Sequence, residues 1–214
     1  MHYKDKNKKY FNKTSKYYYT QGDGKFAKPT YEEVIPRVIK AQPKIMLDLG
    51  CGTGDMVKQI LEKEPDIQVC GLDIAENMVK KAAYNIPDGD IRLGDAEDIP
   101  WENEKFDLIV CNSSFHHYPN PKRALREMRR VLKKDGKIIF GEPTAPGLIR
   151  RVVNLVCRIS PHGDYRVYNK REIKRLFKKT GFKLINFKQI DEKHYALTAK
   201  KNWEIIENYV KRDW

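Results

Sequence analysis

Short apolar runs rich in β-branched residues alternate along this chain with longer segments whose apolar residues recur every three or four positions. The short runs are typical of buried strands, and the longer spacing is typical of amphipathic helices. Strands that alternate with helices predict βα units, and hence a parallel sheet covered by helices on both faces. The predicted strands are 44–50, 67–74, 90–96, 106–112 and 137–143, and the predicted helices are 54–64, 75–85, 120–136 and 169–182.

Two later segments depart from this rhythm. Residues 183–190 and 195–201 alternate between apolar and polar positions, which predicts an antiparallel pair at one edge of the sheet. Prolines and glycines in 143–168 surround an apolar, helix-like stretch at 148–159, so we expect an inserted cap over the strand ends. This stretch also contains arginines, so it fits either a cap over an apolar substrate or a membrane-surface patch, and the cap is favoured.

The ends of two helices carry recognisable signals. Asn120 is suited to cap the helix over 120–136 and Gly136 to end it. Asn169 and Glu172 have the spacing of a capping box at the start of the later helix. These signals predict where the polypeptide turns back toward the sheet.

The chain has 214 residues, of which 40% are hydrophobic and 33% charged, and this balance fits one α/β domain. With no apolar run near ~20 residues and no secretory signal, we expect a cytoplasmic protein. The expected parts are a basic N-terminal segment at 1–28, frayed and solvated over 1–16, a main domain at 29–201 and a tail at 202–214. No cysteine pair forms a CxxC, which predicts reduced thiols and no metal centre: Cys51, Cys70, Cys111 and Cys157.

The net charge of +13 is spread unevenly. Eight lysines and two acids give residues 1–28 a charge of +6, whereas nine bases and seventeen acids give residues 29–121 a charge of −8. Residues 122–137 carry +6 and residues 150–183 carry +9. The basic parts would attract nucleic acid, acidic lipid or an anionic small molecule, or they are simply solvated helix faces, which is the favoured interpretation.

A glycine loop follows the first predicted strand, at Gly50, Gly52 and Gly54. Its G-x-G-x-G spacing differs from the G-x-G-x-x-G of pyrophosphate-binding loops, which disfavours a dehydrogenase. Asp48 stands just before the glycines, where a carboxylate would repel a pyrophosphate but accept a ligand that carries an ammonium and a sulfonium.

Polar side chains also end the next three predicted strands. Asp73 ends the second strand, where a carboxylate can accept both hydroxyls of a ribose. Asp95 and Ala96 follow the third strand, where an acid beside a small residue can accept the amine of adenine. Asn112 ends the fourth strand. Since ligands of open α/β sheets bind outside the carboxyl ends of the strands, these positions predict one shared cofactor site.

The successive motifs resemble those of class I S-adenosylmethionine-dependent methyltransferases, most closely the ubiquinone- and menaquinone-biosynthesis type that methylates small molecules. The resemblance covers about residues 30–200 and implies a Rossmann-like, seven-stranded, mostly parallel sheet of order 3-2-1-4-5-7-6 with strand 7 antiparallel. It implies S-adenosyl-L-methionine as the cofactor. The segments that carry it are LDLGCGTG (47–54), GLDIAENMV (71–79), GDAEDIPW (94–101), FDLIVCNSSFHHYPNP (106–121) and LREMRRVLKKDGKIIFGEP (125–143).

The resemblance also implies roles for individual residues. In similar enzymes an aromatic residue of the N-terminal segment closes over the cofactor, which makes 17–28 a predicted lid and Tyr19 a predicted contact. The remaining implied contacts are Gly50, Gly52 and Gly54 with the methionine part, Asp73 with the ribose, Asp95 and Ala96 with the adenine, Ile74 and Met78 beside the adenosine, and Asn112 near the sulfonium.

The acceptor side is less defined. His116 and His117 follow the fourth strand, where one could line the acceptor pocket or act as a general base, or both only shape the loop, which is the favoured interpretation. Glu142 could orient the substrate or only hold the cap. The leading interpretation is methyl transfer to oxygen, carbon or nitrogen of a small, anionic or apolar acceptor. The alternatives are an RNA or protein methyltransferase that uses the basic surface, which is not favoured, and a protein that binds the cofactor or its demethylated product without turnover.

Overall fold

The computed structural model describes residues 3–21, 23–157 and 159–202, without the side chains of residues 19, 21 and 23. Its strands are β1 (Ile45–Leu49), β2 (Gln68–Asp73), β3 (Asp90–Leu93), β4 (Phe106–Asn112), β5 (Leu132–Pro143), β6 (Phe182–Gln189) and β7 (His194–Lys201). They form one sheet of order β3-β2-β1-β4-β5-β7-β6. The first five strands pair in parallel, and β7 runs antiparallel to β5 and β6, so the predicted topology is confirmed.

Helices precede and connect these strands. They are α1 (Tyr3–Thr14), α2 (Tyr18–Gln21), α3 (Asp23–Ala41), α4 (Asp55–Leu61), α5 (Glu76–Asn85), α6 (Pro121–Val131), α7 (Gly147–Cys157) and α8 (Lys170–Lys179). The predicted capping box of α8 is present, because the Glu172 backbone N–H donates to Asn169 Oδ1 at 2.9 Å and the Asn169 N–H donates to Glu172 Oε2 at 3.1 Å.

The core lies on both faces of the sheet, because successive side chains of a strand point in opposite directions. Leu47 and Leu49 of β1 join a cluster that includes α6 and α8, whereas Met46 packs in a second cluster with α3 and α4. All three side chains are fully buried. The carboxyl end of β1 is therefore held from both sides, which fixes the loop that follows it.

The helix predicted over 120–136 is wrong in its last turn and a half. It ends at Val131, and β5 begins at Leu132, which pairs with Phe106 of β4. A Cβ on Gly136 would lie 2.7 Å from the Leu132 side chain, so this glycine permits close packing within the strand rather than ending a helix. The sequence signal was misleading because a glycine after a run of lysines resembles a helix end.

The frayed, solvated arm predicted over 1–16 is also wrong for the described residues. This segment forms α1, which packs on the domain through aromatic and polar contacts. Lys4 Nζ lies 2.6 Å from Asp95 Oδ2, the Asn7 amide donates to the His162 carbonyl at 3.3 Å, and Asn12 accepts from the Asn77 N–H at 2.9 Å. These polar contacts do not depend on regularly spaced apolar residues, so the sequence contains no pattern that would predict them.

One side of helix α7 covers a cavity, as expected for a cap, but its other side is exposed. Ile149, Val153 and Cys157 line a cavity beside the strand ends. Arg158 lies outside the described residues, as do 203–214 of the predicted tail. In the described part of the chain, no helix is both long and apolar enough to cross a membrane. The other large apolar side chains of this segment are exposed: Leu148, Val152, Leu155, Val156 and Ile159.

Candidate active site

The loop after β1 depends on its glycines. Gly50, Gly52 and Gly54 have φ angles of 78°, 55° and 81°, a region that L side chains rarely adopt. A Cβ on Gly50 would lie 1.8 Å from Ser114 Oγ, so the loop also packs directly against the segment after β4. The backbone of this loop can therefore approach a ligand more closely than any side chain would allow.

A cavity lies at the carboxyl ends of β1, β2 and β4, beside this loop. Asp48 and Asn112, which are predicted contacts, do not line it, and Gly54 instead caps α4. The Tyr19 side chain lies outside the described residues, and the neighbouring Tyr18 lines the cavity. The predicted residues that the structure does bring together here are Gly50, Gly52, Asp73, Ile74, Met78, Asp95, Ala96 and His117.

Asp73 connects the glycine loop to the second strand. Its carboxylate accepts from the backbone N–H groups of Gly52 and Ala75, both at 2.9 Å. Burial raises its pKa to about 6, although these hydrogen bonds oppose the shift. One carboxylate thus sets the loop conformation and places negative charge at the cavity wall.

Asp48 lies behind the wall rather than in it. It is 2% exposed, and burial, together with the nearby charge of Asp73, raises its pKa to about 7. When both carboxyl groups are ionised, their negative charges repel each other. A cationic ligand nearby would relieve this repulsion and would itself be stabilised. This arrangement agrees with a donor molecule that carries a sulfonium and an ammonium.

We expect the affinity for a cationic cofactor to fall as the pH falls from 7 to 5. The raised pKa values mean that Asp48 and Asp73 bind protons as the pH falls through about 7 and about 6, and a protonated carboxyl no longer attracts a cation. Without ligand, the same groups favour the folded state at low pH and lose that contribution as the pH rises. Calorimetry should show at least ~10-fold weaker binding at the acid end.

The matched variant for this measurement is Asp48→Asn, which removes one titrating group behind the cavity. Its affinity should depend less steeply on pH than that of the unmodified protein. An affinity that stays constant between pH 5 and 7 would contradict the assignment of these carboxylates to a cationic ligand.

The far end of the cavity contains a second acidic pair, Asp95 and Glu97. Glu97 is 2% exposed and accepts from the backbone N–H of Asn120 at 2.8 Å, which holds the loop after β3 against the start of α6. Lys4 of α1 pairs with Asp95 at 2.6 Å and with Glu97 at 2.7 Å. Sequence reasoning missed Glu97 and Lys4, because their pairing depends on the position of α1.

The segment after β4 is held by one buried carboxylate. Glu142 of β5 is 1% exposed and accepts from the backbone N–H groups of Ser114, Phe115 and His116 at 2.8–3.2 Å. It also bonds His116 Nδ1 at 2.9 Å. Glu142 is therefore a positioning residue for this turn, and it fixes the direction in which the neighbouring His117 ring points.

His117 stands beside Asp164. Its Nδ1 lies 3.3 Å from Asp164 Oδ1, and its side chain is 9% exposed. Burial and the neighbouring His116 ring hold its pKa well below the usual range, so the imidazole is neutral at physiological pH. The neutral imidazole is available to accept a proton from a hydroxyl or an acidic carbon, and the charge of Asp164 beside it opposes the lowering of its pKa.

The same three side chains have the composition of a metal-binding group. Potential ligand atoms of His116, His117 and Asp164 lie within 4.8 Å of one another. The sequence predicts no metal centre. A chelator therefore belongs in any experiment that assigns a role to His117.

A larger cavity of about 440 Å³ lies on the other side of His117. Most of its exposed lining is apolar and comes from α7, the end of β5 and the aromatic residues of the N-terminal segment. The two cavities share four lining residues, so a ligand in one would meet a ligand in the other at this boundary. The shared residues are Phe11, Tyr18, Ser113 and His117.

Ser113 marks the junction more closely than the predicted Asn112. It has a φ of 49°, and its Oγ is buried without a hydrogen-bond partner among the described residues. Asn112 Oδ1 is likewise buried without a hydrogen-bond partner among the described residues, but it packs beside Gly141, at which a Cβ would lie 2.2 Å from it, and does not line either cavity. A strained residue with an unpaired hydroxyl between two cavities is typical of a functional position.

The chain is similar in sequence to known methyltransferases. Residues 47–140 match the profile of the methyltransferase domain family. A demethylmenaquinone methyltransferase of Thermotoga maritima is 33% identical over 119 residues, which cover 56% of this chain and 52% of the relative. A chloroplastic 2-methyl-6-phytyl-1,4-hydroquinone methyltransferase of Spinacia oleracea is 30% identical over 163 residues, or 75% of this chain and 45% of the relative.

Solved structures show the same fold. The YcgJ protein of Bacillus subtilis superposes with a TM-score of 0.67 at 21% identity, over 80% of this chain and 99% of that one. Human N-acetylserotonin methyltransferase in complex with S-adenosylmethionine superposes with a TM-score of 0.64 at 20% identity, over 80% and 51% of the two chains.

A class I methyltransferase domain is defined by the fold, the glycine loop and the acidic residues at the strand ends taken together. The chain matches the methyltransferase domain family over residues 47–140 and shares its fold with a solved methyltransferase. It spans about half the length of the two curated relatives described above.

Proposed function

We propose that this protein transfers a methyl group from S-adenosylmethionine to a small, largely apolar acceptor held in the cavity beneath α7. One observation carries the proposal: an acidic cavity at the strand ends and an apolar cavity meet at Ser113 and His117. The two relatives described above are named for quinone-type acceptors, which supports an apolar, hydroxyl-bearing molecule.

The residues of the acidic cavity fit the cofactor. S-adenosylmethionine, when bound, supplies an electrophilic methyl group on a sulfonium. Gly50 and Gly52 would present backbone to its methionine part, and Asp73 would accept from the ribose. Asp95 and Ala96 would border the adenine. The Asp48 carboxyl behind the wall and the Asp73 carboxyl in it would stabilise the positive charge.

The residues at the junction would prepare the acceptor. His117 would take a proton from the acceptor, and Asp164 would orient the ring and stabilise the imidazolium that forms. Glu142 would hold the turn in place through its bonds to the backbone. Phe11 and Tyr18 line both cavities and would exclude water from the reacting atoms.

A labelled-methyl assay tests this proposal. The full chain is incubated with methyl-labelled S-adenosylmethionine and, in separate reactions, with quinols and phenols, with tRNA, and with protein extract. We expect label in the small apolar hydroxyl compounds. Label confined to tRNA or protein would contradict the proposed acceptor class, and cofactor binding without any labelled product would favour a non-catalytic binding protein.

One surface supports the RNA alternative. A concave region between α6 and α8 is lined by several cations, which would attract a polyanion. Binding of tRNA that persists at physiological salt and weakens steeply as salt rises would support this alternative. The cations of this region are Lys122, Arg123, Arg126, Arg166, Arg175 and Lys179.

A further inference from the structure

Helix α7 turns its polar side chains toward the domain. Arg150 Nη1 donates to Glu172 Oε2 at 2.7 Å, and the Arg150 side chain is 13% exposed. One turn later, the Asn154 amide donates to the Val167 carbonyl at 3.1 Å and accepts from the Val167 N–H at 2.9 Å. Polar contacts therefore anchor the inner face of this helix.

The outer face of α7 and the residue beyond its end is apolar. A surface helix ordinarily has the reverse arrangement, with its apolar stripe toward the core. A contiguous apolar patch on a surface marks a site of interaction. Arg151 is the exposed charge among the described residues of the helix, and the helix contains no acid. The outward side chains are 53–79% exposed: Leu148, Val152, Leu155, Val156 and Ile159.

This outer face is continuous with the acceptor cavity. Ile149 is 61% exposed and also lines the cavity, together with Val153 and Cys157 of the next turns. Phe26 lines the same cavity and is 47% exposed. Ile149 and Phe26 thus connect the exposed apolar surface to the lining of the cavity.

The charge around the helix indicates what it contacts. Residues 150–183, which include most of α7, carry a net charge of +9. Lys6 of the basic segment 1–28 donates to the Ser160 carbonyl just beyond the helix, at 3.4 Å. An apolar face whose helix carries the exposed Arg151 and no acid is complementary to an anionic bilayer, whereas a second copy of this chain would bring like charges together.

We propose that the outer face of α7 docks on anionic lipid bilayers and that the acceptor enters its cavity from the bilayer. The acceptor route rests on the proposed function, but docking itself does not. Docking buries the exposed apolar side chains at the boundary between headgroups and acyl chains, and Arg151 contacts the lipid phosphates.

Vesicle sedimentation tests the docking without acceptor or cofactor. The full chain is mixed with vesicles of phosphatidylcholine and phosphatidylglycerol, or of phosphatidylcholine alone. We expect stronger binding to the anionic vesicles, with a decrease at high salt. Val152→Ser/Leu155→Ser should weaken this binding at least ~10-fold. Tyr84→Ser/Ile185→Ser, which removes two exposed apolar side chains elsewhere, should bind like the unmodified protein.

Circular dichroism and sedimentation equilibrium complete the test. Both double variants change exposed side chains, so both should fold. Absence of binding to anionic vesicles, or equal binding by the two double variants, would overturn the docking proposal. A dimer that dissociates only in the α7 variant, without vesicle binding, would assign the face to a second copy. Loss of docking with intact methyl transfer would leave the proposed function standing.

Discussion

Replacement of Asp73 by alanine should weaken the binding of S-adenosylmethionine at least ~100-fold. The carboxylate is expected to accept two ribose hydroxyls, and hydrogen bonds to a charged group contribute ~1.5–3 kcal/mol each. The change also removes the acceptor of the Gly52 and Ala75 N–H groups, which shape the glycine loop. Isothermal titration calorimetry with S-adenosylmethionine measures the loss.

Two controls separate ligand contact from a general loss of charge or fold. Asp88→Ala removes an exposed carboxylate near β3 and should leave the affinity unchanged. Asp73→Asn keeps one acceptor oxygen and should bind with intermediate affinity, with a melting temperature close to that of the unmodified protein. Unchanged affinity in a folded Asp73→Ala variant would refute the ribose assignment.

Replacement of His117 by glutamine should lower kcat ~100-fold or more, because the proton acceptor at the cavity junction is lost. The affinity for S-adenosylmethionine should change little, since the acidic strand ends remain. The measurements are kcat with the acceptor from the labelled-methyl assay, and the cofactor dissociation constant in parallel. A parallel loss of cofactor affinity and kcat would instead indicate a structural role for the ring.

The matched control is His162→Gln, which changes a histidine that lines the acceptor cavity but not the junction. It should retain most of the turnover. Chelation with EDTA should also leave turnover unchanged if His117 accepts the proton directly. Loss of activity with EDTA, and its recovery with a divalent cation, would assign His116, His117 and Asp164 to a metal ion instead.

The sequence predicts the central strands β1, β2 and β4 well because they are largely buried and consist mostly of apolar residues. β1 and β4 differ from their predicted bounds by at most one residue at either end. The predicted end of α6 is wrong because the lysines and the glycine after Val131 are compatible with both a helix end and a twisted strand. The packing of Leu132 against β4 decides between them, and that contact is long-range.

The cofactor side of the site is predictable because its residues follow strands whose ends must meet. Glu97, Lys4 and Asp164 are different, since each comes to the site from a loop or helix whose position depends on tertiary contacts. Glu97 lies within a matched motif, so its position offered a signal. The positions of Lys4 and Asp164 in the sequence give no signal of a role in the site beyond their charge.

The inward polar face of α7 shows a related limit. Arginines between apolar residues indicate an amphipathic helix, but they do not tell which face meets the domain. Glu172 and Val167 decide this, because they pair with Arg150 and Asn154 and turn the apolar side chains outward. The spacing of apolar residues alone therefore favours a buried cap, although the structure exposes much of the apolar surface.

The most direct test of the account is a crystal structure of the protein with S-adenosylhomocysteine, the demethylated product. The account predicts the ribose on Asp73, the adenine beside Asp95 and Ala96, and the sulfur at the junction near Ser113, facing the cavity beneath α7. A product molecule bound elsewhere, or one whose sulfur faces away from this junction, would contradict the assignment of the two cavities to methyl donor and acceptor.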